Sequence, residues 1–243
     1  MEKPRKTKHK ELKLKTKLPE KLVFLPNSDK HFHEKNSPDR SLLNFPHPYR
    51  ICLSGKPNVG KSAIIQNIIL RANPMFQRVV ICHGDALQTN EYNWLKDENN
   101  KDNVTIIDYI PAQTDWAGDV KTLCIIDDLE LSNLNKQQSQ ALSKLFGYVS
   151  THRNVSVCCC VQDFFSIPCV VRRCVNIIVL WKSHDLTTMA QIAKKAGLTS
   201  DQLLGIFKKY CPEYRDSLTI DLTPNSRAMF RINCFQPIDL IKE

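Results

Sequence analysis

An eight-residue motif, Gly55-Lys56-Pro57-Asn58-Val59-Gly60-Lys61-Ser62, constrains this chain more than any other feature of its sequence. It matches the pattern G-x-x-x-x-G-K-S in full and lies between an apolar run at 50–54 and a helical pattern that begins at Lys61. In this setting the backbone N–H groups and the helix N-terminus surround phosphate oxygens. Lys61 is expected to reach the β- and γ-phosphates, and Ser62 to bind Mg²⁺. All eight residues are therefore candidates for binding a nucleoside triphosphate.

Apolar runs recur along the chain and predict its fold class. They lie at 49–54, 79–82, 122–127, 155–161 and 174–181, and they are nearly continuous rather than alternating. Continuous runs are typical of strands that are buried on both faces of a parallel sheet. Helical patterns at 62–71 and 136–149 follow the first and third runs. We expect an α/β fold with a mostly parallel, doubly wound sheet flanked by helices.

The end of the chain has a different pattern. Segments 186–196 and 201–210 are amphipathic with helical spacing, whereas 217–222 and 227–235 alternate around Pro224-Asn225. The alternation predicts a β-hairpin after two helices. We expect one P-loop domain at 49–243 that carries these C-terminal elements as an extension.

Two apolar runs end in polar residues that suit phosphate chemistry. The run at 122–127 ends in Asp127, a candidate for the Mg²⁺ shell, and is followed by Asp128, a candidate general base. Glu130 is an alternative base. The run at 155–161 is followed by Gln162, whose amide is placed to orient the attacking water or to sense phosphate loss.

Paired arginines, Arg172 and Arg173, precede the apolar run that ends at Trp181. An arginine that stabilises the charge of a transferred phosphoryl group is often supplied by a neighbouring subunit. Either arginine is a candidate for this role, and binding DNA or capping a helix are the alternatives.

The basic charge is concentrated at the N-terminus. The chain carries 34 Lys and Arg against 25 Asp and Glu, a net charge of +9, and residues 1–17 alone contribute +6. Such a segment buries too little apolar surface to fold alone. We expect a disordered arm at 1–21 and an irregular, proline-rich lead-in at 22–48. Binding nucleic acid, nuclear import and solubility are the open roles of the arm.

Composition excludes several other classes. No apolar run approaches the ~18 residues of a membrane span, and no secretory signal is present, so we expect no membrane span. Most of the 10 cysteines lie inside apolar runs. They are expected to be buried reduced thiols, which predicts a reducing compartment.

Together these motifs resemble the FtsK–HerA superfamily, and within it the poxvirus-type genome-packaging ATPases of large DNA viruses, virophages and Polinton-like elements. The resemblance covers about residues 45–238 and rests on Ser150-Thr151-His152-Arg153-Asn154-Val155-Ser156, Val161-Gln162-Asp163, Ile167-Pro168 and the paired arginines. It implies a RecA-like (ASCE) P-loop ATPase in which the Gln162 strand lies between the P-loop strand and the Asp127 strand. One departure is Asp128, because many members carry glutamate at this position.

The resemblance also implies ATP and Mg²⁺ as cofactors and a homo-oligomeric ring that moves double-stranded DNA into a capsid. Capsid, portal or other virion proteins would be its partners. It would act inside the host cell, in the nucleus or at a cytoplasmic assembly site, or in association with the virion.

Other functions remain open from the sequence. The P-loop also resembles that of Era-like GTPases, and Asp115-Trp116-Ala117-Gly118 satisfies the D-x-x-G pattern, although the guanine-reading N-K-x-D signature is absent. A helicase, a nucleotide kinase and a DNA-binding scaffold with a vestigial nucleotide site are further alternatives.

Overall fold

The fold centres on a nine-stranded sheet within the part of the chain that the structure describes. This computed structural model describes residues 45–72, 74–96, 101–183, 185–223, 226 and 228–238. The strands are β1 (Arg50–Ser54), β2 (Arg78–His83), β3 (Val104–Ile107), β4 (Thr122–Asp127), β5 (Val155–Val161), β6 (Ile177–Trp181), β7 (Ser217–Asp221), β8 (Phe230–Ile232) and β9 (Gln236–Pro237). Their order in the sheet is β3-β2-β4-β5-β1-β6-β7-β8-β9.

Strands β1 to β6 are all parallel, whereas β7, β8 and β9 join the sheet in antiparallel pairs. Every residue of β4, β5 and β6 is buried, which confirms that the continuous apolar runs form the two-sided interior of a parallel sheet. Strand β5 lies between β1 and β4, as the resemblance implied. The α/β P-loop fold predicted from the sequence is confirmed.

Helices cover both faces of this sheet. They are α1 (Lys61–Leu70), α2 (Lys136–Lys144), α3 (Cys169–Cys174), α4 (Leu186–Lys195) and α5 (Ser200–Tyr210). The helix α2 continues through a π-helical turn at Leu145–Val149 and a short helical segment at Ser150–His152. Side chains at helix N-termini fix where α2, α4 and α5 begin, because Asn135, Asp185 and Thr199 accept hydrogen bonds from the first-turn N–H groups.

Alternate residues of β1, β2, β4, β5 and β6 point into two different apolar clusters. One cluster contains Cys159 with residues of α2, α4 and α5, and the other contains Cys158 and Cys160 with the isoleucines of α1. Adjacent cysteines thus face opposite sides of the sheet, as expected of a strand. All 10 cysteines are unpaired thiols, and eight of them are buried.

The structure differs from the sequence-based expectations at three places. The apolar run at 174–181 is a strand only from Ile177, because Cys174 ends α3. The pattern at 136–149 is α-helical to Lys144 and then widens into the π-helical turn. The edge strand β3 is not predicted from the sequence, since Thr105 is exposed, the other three residues are only partly buried and the four form no long apolar run.

The C-terminal hairpin is built around a buried ion pair. Strand β7 pairs with β8, with Thr219 opposite Arg231, although Pro224 and Asn225 of the predicted turn lie outside the described residues. The Arg231 guanidinium lies 2.9 Å from the Asp221 carboxylate, and the two side chains are 3% and 0% exposed. The Asp221 carboxylate also accepts hydrogen bonds from Thr223 and Ser226.

The predicted arm at 1–21 and the lead-in up to residue 44 lie outside the described residues, so these boundaries stay predictions. Residues 45–48 form no helix or strand, yet His47 is buried. Its two ring nitrogens contact Ser156 Oγ at 2.7 Å and Asn154 Oδ1 at 2.6 Å, which fastens the end of the lead-in to the start of β5. Among the described helices, none has the length and apolarity that crossing a membrane requires.

Candidate nucleotide-binding site

The predicted site residues leave the sheet at one edge. Strands β1, β4 and β5 run parallel, so the P-loop, Asp127 and Gln162 all follow carboxyl ends. The Gly55 N–H donates to the Val161 carbonyl at 3.0 Å, which places the backbone of Gln162 beside the start of the P-loop. The carboxyl edge of a parallel sheet is where α/β folds bind ligands.

Two positions in the P-loop require unusual backbone freedom. Asn58 has φ 63° and Gly60, the N-cap of α1, has φ 111°. Positive φ is the conformation that glycine adopts without steric cost and asparagine tolerates. The loop therefore curls so that it meets α1 with its first N–H groups free of side-chain caps. Lys56, Pro57 and Asn58 are exposed, and Val59 is buried beneath them.

Gly55 is needed for a different reason, which is close packing. A Cβ atom at Gly55 would lie 2.7 Å from Trp181 Cε3 and 2.9 Å from Val59 Cγ2. We expect Gly55→Ala to destabilise the protein by about 1–3 kcal/mol and to distort the P-loop, because the extra methyl has no room. The matched control is Gly205→Ala in α5, where nothing lies within 4 Å of the added methyl. Alanine favours helix there by about 1 kcal/mol. Thermal denaturation compares the two variants, and equal melting temperatures would contradict the packing of Gly55.

Lys61 turns back onto its own loop. Its Nζ donates hydrogen bonds to the carbonyl oxygens of Gly55 at 2.8 Å and Lys56 at 2.9 Å. The ammonium group is therefore held at the centre of the loop that is expected to surround phosphate.

Asp127 is buried at the end of β4, opposite His83 in β2. Its Oδ2 accepts a hydrogen bond from the Tyr92 hydroxyl at 2.5 Å. Burial raises the pKa of Asp127, the hydrogen bond from Tyr92 opposes this rise, and the negative charges of Asp128 and Glu91 add to it. A carboxylate that is costly to ionise in this position is stabilised when a cation binds beside it.

Ser62 and Asp128 meet a residue that was not predicted from the sequence. The Ser62 hydroxyl donates to Glu91 Oε1 at 2.8 Å. One potential ligand atom of each of His83, Glu91 and Asp128 lies within 4.8 Å of the others. The only sequence signal for His83 and Glu91 is that His83 directly follows the second apolar run at 79–82 and that Glu91 lies in the segment after it.

Asp128 lies in an unusual turn beside this cluster. It has φ 47°, and its carbonyl oxygen would lie 2.5 Å from a Cβ atom at Gly84, so only glycine fits opposite it. The Asp128 side chain is 71% exposed and its Oδ2 lies 3.9 Å from His83 Nε2. Glu130, the alternative base, instead accepts a hydrogen bond from Asn133 within its own turn. The structure thus places Asp128, rather than Glu130, among the other charged groups.

His83 has a defined tautomer in this arrangement. Its Nδ1 accepts a hydrogen bond from the Asp85 N–H at 3.0 Å, so in the neutral ring the proton is on Nε2. The Nε2–H group faces Asp128 as a donor and offers no lone pair to a metal. The predicted ligands that fit Mg²⁺ are the oxygens of Ser62 and Asp127, since oxygens are the hard ligands that this ion prefers.

Gln162 and the arginines are placed as follows. Gln162 is exposed at the end of β5, and the next residue, Asp163, accepts a hydrogen bond from Phe165 N. Arg172 stacks on the Phe165 ring at 4.5 Å, and its carbonyl accepts a hydrogen bond from Lys195 Nζ. Arg173 is exposed. Both arginines lie in the last turn of α3. Of these three predicted residues, Gln162 is the one whose backbone adjoins the P-loop, because the preceding residue, Val161, is hydrogen-bonded to Gly55.

The D-x-x-G pattern of the GTPase alternative lies away from the P-loop. Asp115 closes a short turn by accepting a hydrogen bond from the Ala112 N–H, and Gly118 packs against Arg153 and His152. Because Arg153 and His152 precede β5, this contact is at the amino edge of the parallel strands. The P-loop lies at the carboxyl edge, so Gly118 of this pattern is too far away to contact a phosphate bound by the P-loop.

Solved structures share this arrangement of elements. The DNA-packaging ATPase B204 of Sulfolobus turreted icosahedral virus aligns with 80% of this chain and 100% of its own, at 15% identity and a TM-score of 0.54. B204 of Sulfolobus turreted icosahedral virus 2, solved with AMPPCP, aligns with 80% and 100% at 16% identity and a TM-score of 0.51. This chain has the same fold as B204.

The pCW3 conjugation coupling protein TcpA, solved with ATPγS, also shares this fold. It aligns with 79% of this chain and 60% of its own, at 12% identity and a TM-score of 0.52. No protein-family model matches the sequence, and no curated protein is significantly similar to it. The P-loop ATPase fold that the resemblance implied is thus confirmed, on structural rather than sequence similarity.

Proposed function

We propose that this protein is an ATPase motor that moves double-stranded DNA into a capsid. The observation that carries the proposal is that the complete P-loop, Asp127, Asp128 and Gln162 follow the carboxyl ends of neighbouring parallel strands. The fold is shared with B204, which is named a DNA-packaging ATPase, and this similarity supports a role in DNA packaging.

Hydrolysis of ATP forms a bond between a water oxygen and the γ-phosphorus and breaks the bond to the bridging oxygen of ADP. Lys61 is proposed to stabilise the negative charge on the transferred group. Asp128 accepts the proton of the attacking water, and Gln162 hydrogen-bonds that water. The His83 Nε2–H group lies 3.9 Å from Oδ2 of Asp128 and faces that carboxylate as a donor.

Ser62 and Asp127 are the residues proposed to hold Mg²⁺. When bound, this ion neutralises charge on the β- and γ-phosphate oxygens. Asp127 fits this role because it is buried, and a Tyr92 hydrogen bond fixes its orientation.

The remaining parts of the proposal concern assembly. A homo-oligomeric ring is proposed, with Arg172 or Arg173 reaching the nucleotide of a neighbouring subunit. The exposed guanidinium of Arg173 at the end of α3 suits such a contact better than Arg172, which stacks on Phe165. A virion protein is the proposed docking partner, at an assembly site inside the host cell.

The rate of ATP hydrolysis measured with and without double-stranded DNA tests this proposal. We expect DNA to raise the rate of ATP hydrolysis several-fold, because a DNA-translocating motor couples hydrolysis to its movement along the DNA. A basal rate that does not respond to DNA at any protein concentration would count against a packaging motor. Selective thermal protection by GTP would favour a GTPase instead, and strand separation would favour a helicase.

A further inference from the structure

The loop between β2 and β3 contacts both residues that are proposed to hold Mg²⁺. Two consecutive residues of this loop make the contacts. Glu91 Oε1 accepts a hydrogen bond from the Ser62 hydroxyl at 2.8 Å, and the Tyr92 hydroxyl donates one to Asp127 Oδ2 at 2.5 Å. Ser62 follows β1 and Asp127 ends β4, so a single short segment connects the two sides of the site.

This loop is anchored in the core rather than resting on the surface. Tyr92 is 3% exposed and Leu95 is 8% exposed. Both belong to the apolar cluster that contains Ile65 and Ile68 of α1, the helix that carries Ser62 at its N-terminus. Packing against α1 therefore determines where Glu91 lies relative to Ser62.

The direction of each hydrogen bond leaves oxygen lone pairs available for a cation. A serine hydroxyl has one proton to donate and two lone pairs. With its proton directed to Glu91, the Ser62 oxygen can present a lone pair to a metal. Tyr92 donates to Oδ2 of Asp127, which leaves Oδ1 and the ionised charge for the same purpose. Partners that orient metal ligands in this way commonly change metal affinity 10- to 100-fold when they are lost.

We propose that Glu91 is a positioning residue of the Mg²⁺–nucleotide site, acting on Ser62 while Tyr92 acts on Asp127. The proposal rests on the nucleotide-binding function proposed above. Glu91 also adds a carboxylate close to Asp128, and the negative charges of both act on Asp127. A divalent cation that binds there relieves this mutual repulsion.

The test is a thermal-shift titration of the full chain with Mg²⁺ at a fixed concentration of AMPPCP, a nucleotide that is not hydrolysed. For Glu91→Gln we expect the Mg²⁺ concentration at half-maximal stabilisation to rise about tenfold, because the neutral amide weakens both the orientation and the charge. Glu213→Gln is the matched control, since Glu213 is exposed in the loop between α5 and β7. Its midpoint should equal that of the wild type.

Tyr92→Phe tests the second contact without removing the apolar ring. We expect it also to raise the Mg²⁺ midpoint, while the melting temperature without ligand stays near that of the wild type. A Glu91→Gln midpoint equal to that of the wild type would overturn the proposal. A lower midpoint would also overturn it, because Glu91 would then be a latch that competes with the cation.

These failures are distinguishable from failure of the proposed function. If the wild type gained no stability from AMPPCP with Mg²⁺, nucleotide binding itself would be wrong, and the positioning role would fall with it. If the wild type and Glu91→Gln responded identically, only the role of Glu91 would be wrong.

Discussion

Replacing Lys61 with alanine is expected to lower the rate of ATP hydrolysis at least about 100-fold while the protein stays folded. Charge stabilisation of the γ-phosphate would be lost, since no other lysine lies in the second half of the P-loop. The fold should tolerate the change because the Lys61 ammonium bonds only to carbonyl oxygens of the loop itself. Phosphate release measures the rate, and circular dichroism checks the fold.

Lys194→Ala is the matched control for this experiment. Lys194 is exposed in the last turn of α4, so its loss removes the same charge from a helix without affecting the P-loop. The control should hydrolyse ATP at the rate of the wild type. Unchanged hydrolysis by Lys61→Ala would show that the P-loop is not catalytic and would favour a DNA-binding scaffold with a vestigial site.

Replacing Arg231 with methionine is expected to reduce the free energy of unfolding by about 3–5 kcal/mol. Methionine keeps most of the volume but removes the charge that faces Asp221, whose side chain is fully buried. The carboxylate would keep only its bonds to Thr223 and Ser226, which do not neutralise it. Urea denaturation measures the loss of stability, and for a chain of this size the melting temperature should fall by about 10 °C.

A double variant separates the buried charge from the loss of packing. Asp221→Asn combined with Arg231→Met removes both charges, so it should recover part of the stability that Arg231→Met alone loses. Arg215→Met is the control, because Arg215 is exposed just before β7. If the double variant were as unstable as the sum of the two single variants, the ion pair would not be the source of the effect.

The central strands of the sheet were predictable because each forms a continuous apolar run in the sequence. The runs at 122–127 and 155–161 coincide with β4 and β5, since a strand buried on both faces has to be apolar along its whole length. Helix α3 was missed because Cys169–Cys174 has only six residues, too few to show a helical period, and its β-branched Val170 and Val171 fit a strand equally well. Tertiary packing decides between the two.

Some residues of the candidate site were predictable from the sequence and others were not. The P-loop motif and the residues after β4 and β5 were predictable from sequence alone, because parallel strands bring their carboxyl ends to one edge whatever the details of packing. Glu91 and Tyr92 were not predictable. They lie 29 and 35 residues from their partners Ser62 and Asp127, in a loop without a motif.

The sequence by itself determined the strand–loop–helix unit, the order of polar residues at the strand ends and the concentration of positive charge in the first 17 residues. Only the tertiary structure decided which side chains meet at the predicted Mg²⁺ position, that Asp128 rather than Glu130 lies beside His83, and that D-x-x-G faces the opposite edge. The physical reason is the separation along the chain of the residues that interact. Backbone hydrogen bonding and burial impose patterns on neighbouring residues, whereas contacts between loops depend on how separate elements pack against a common core.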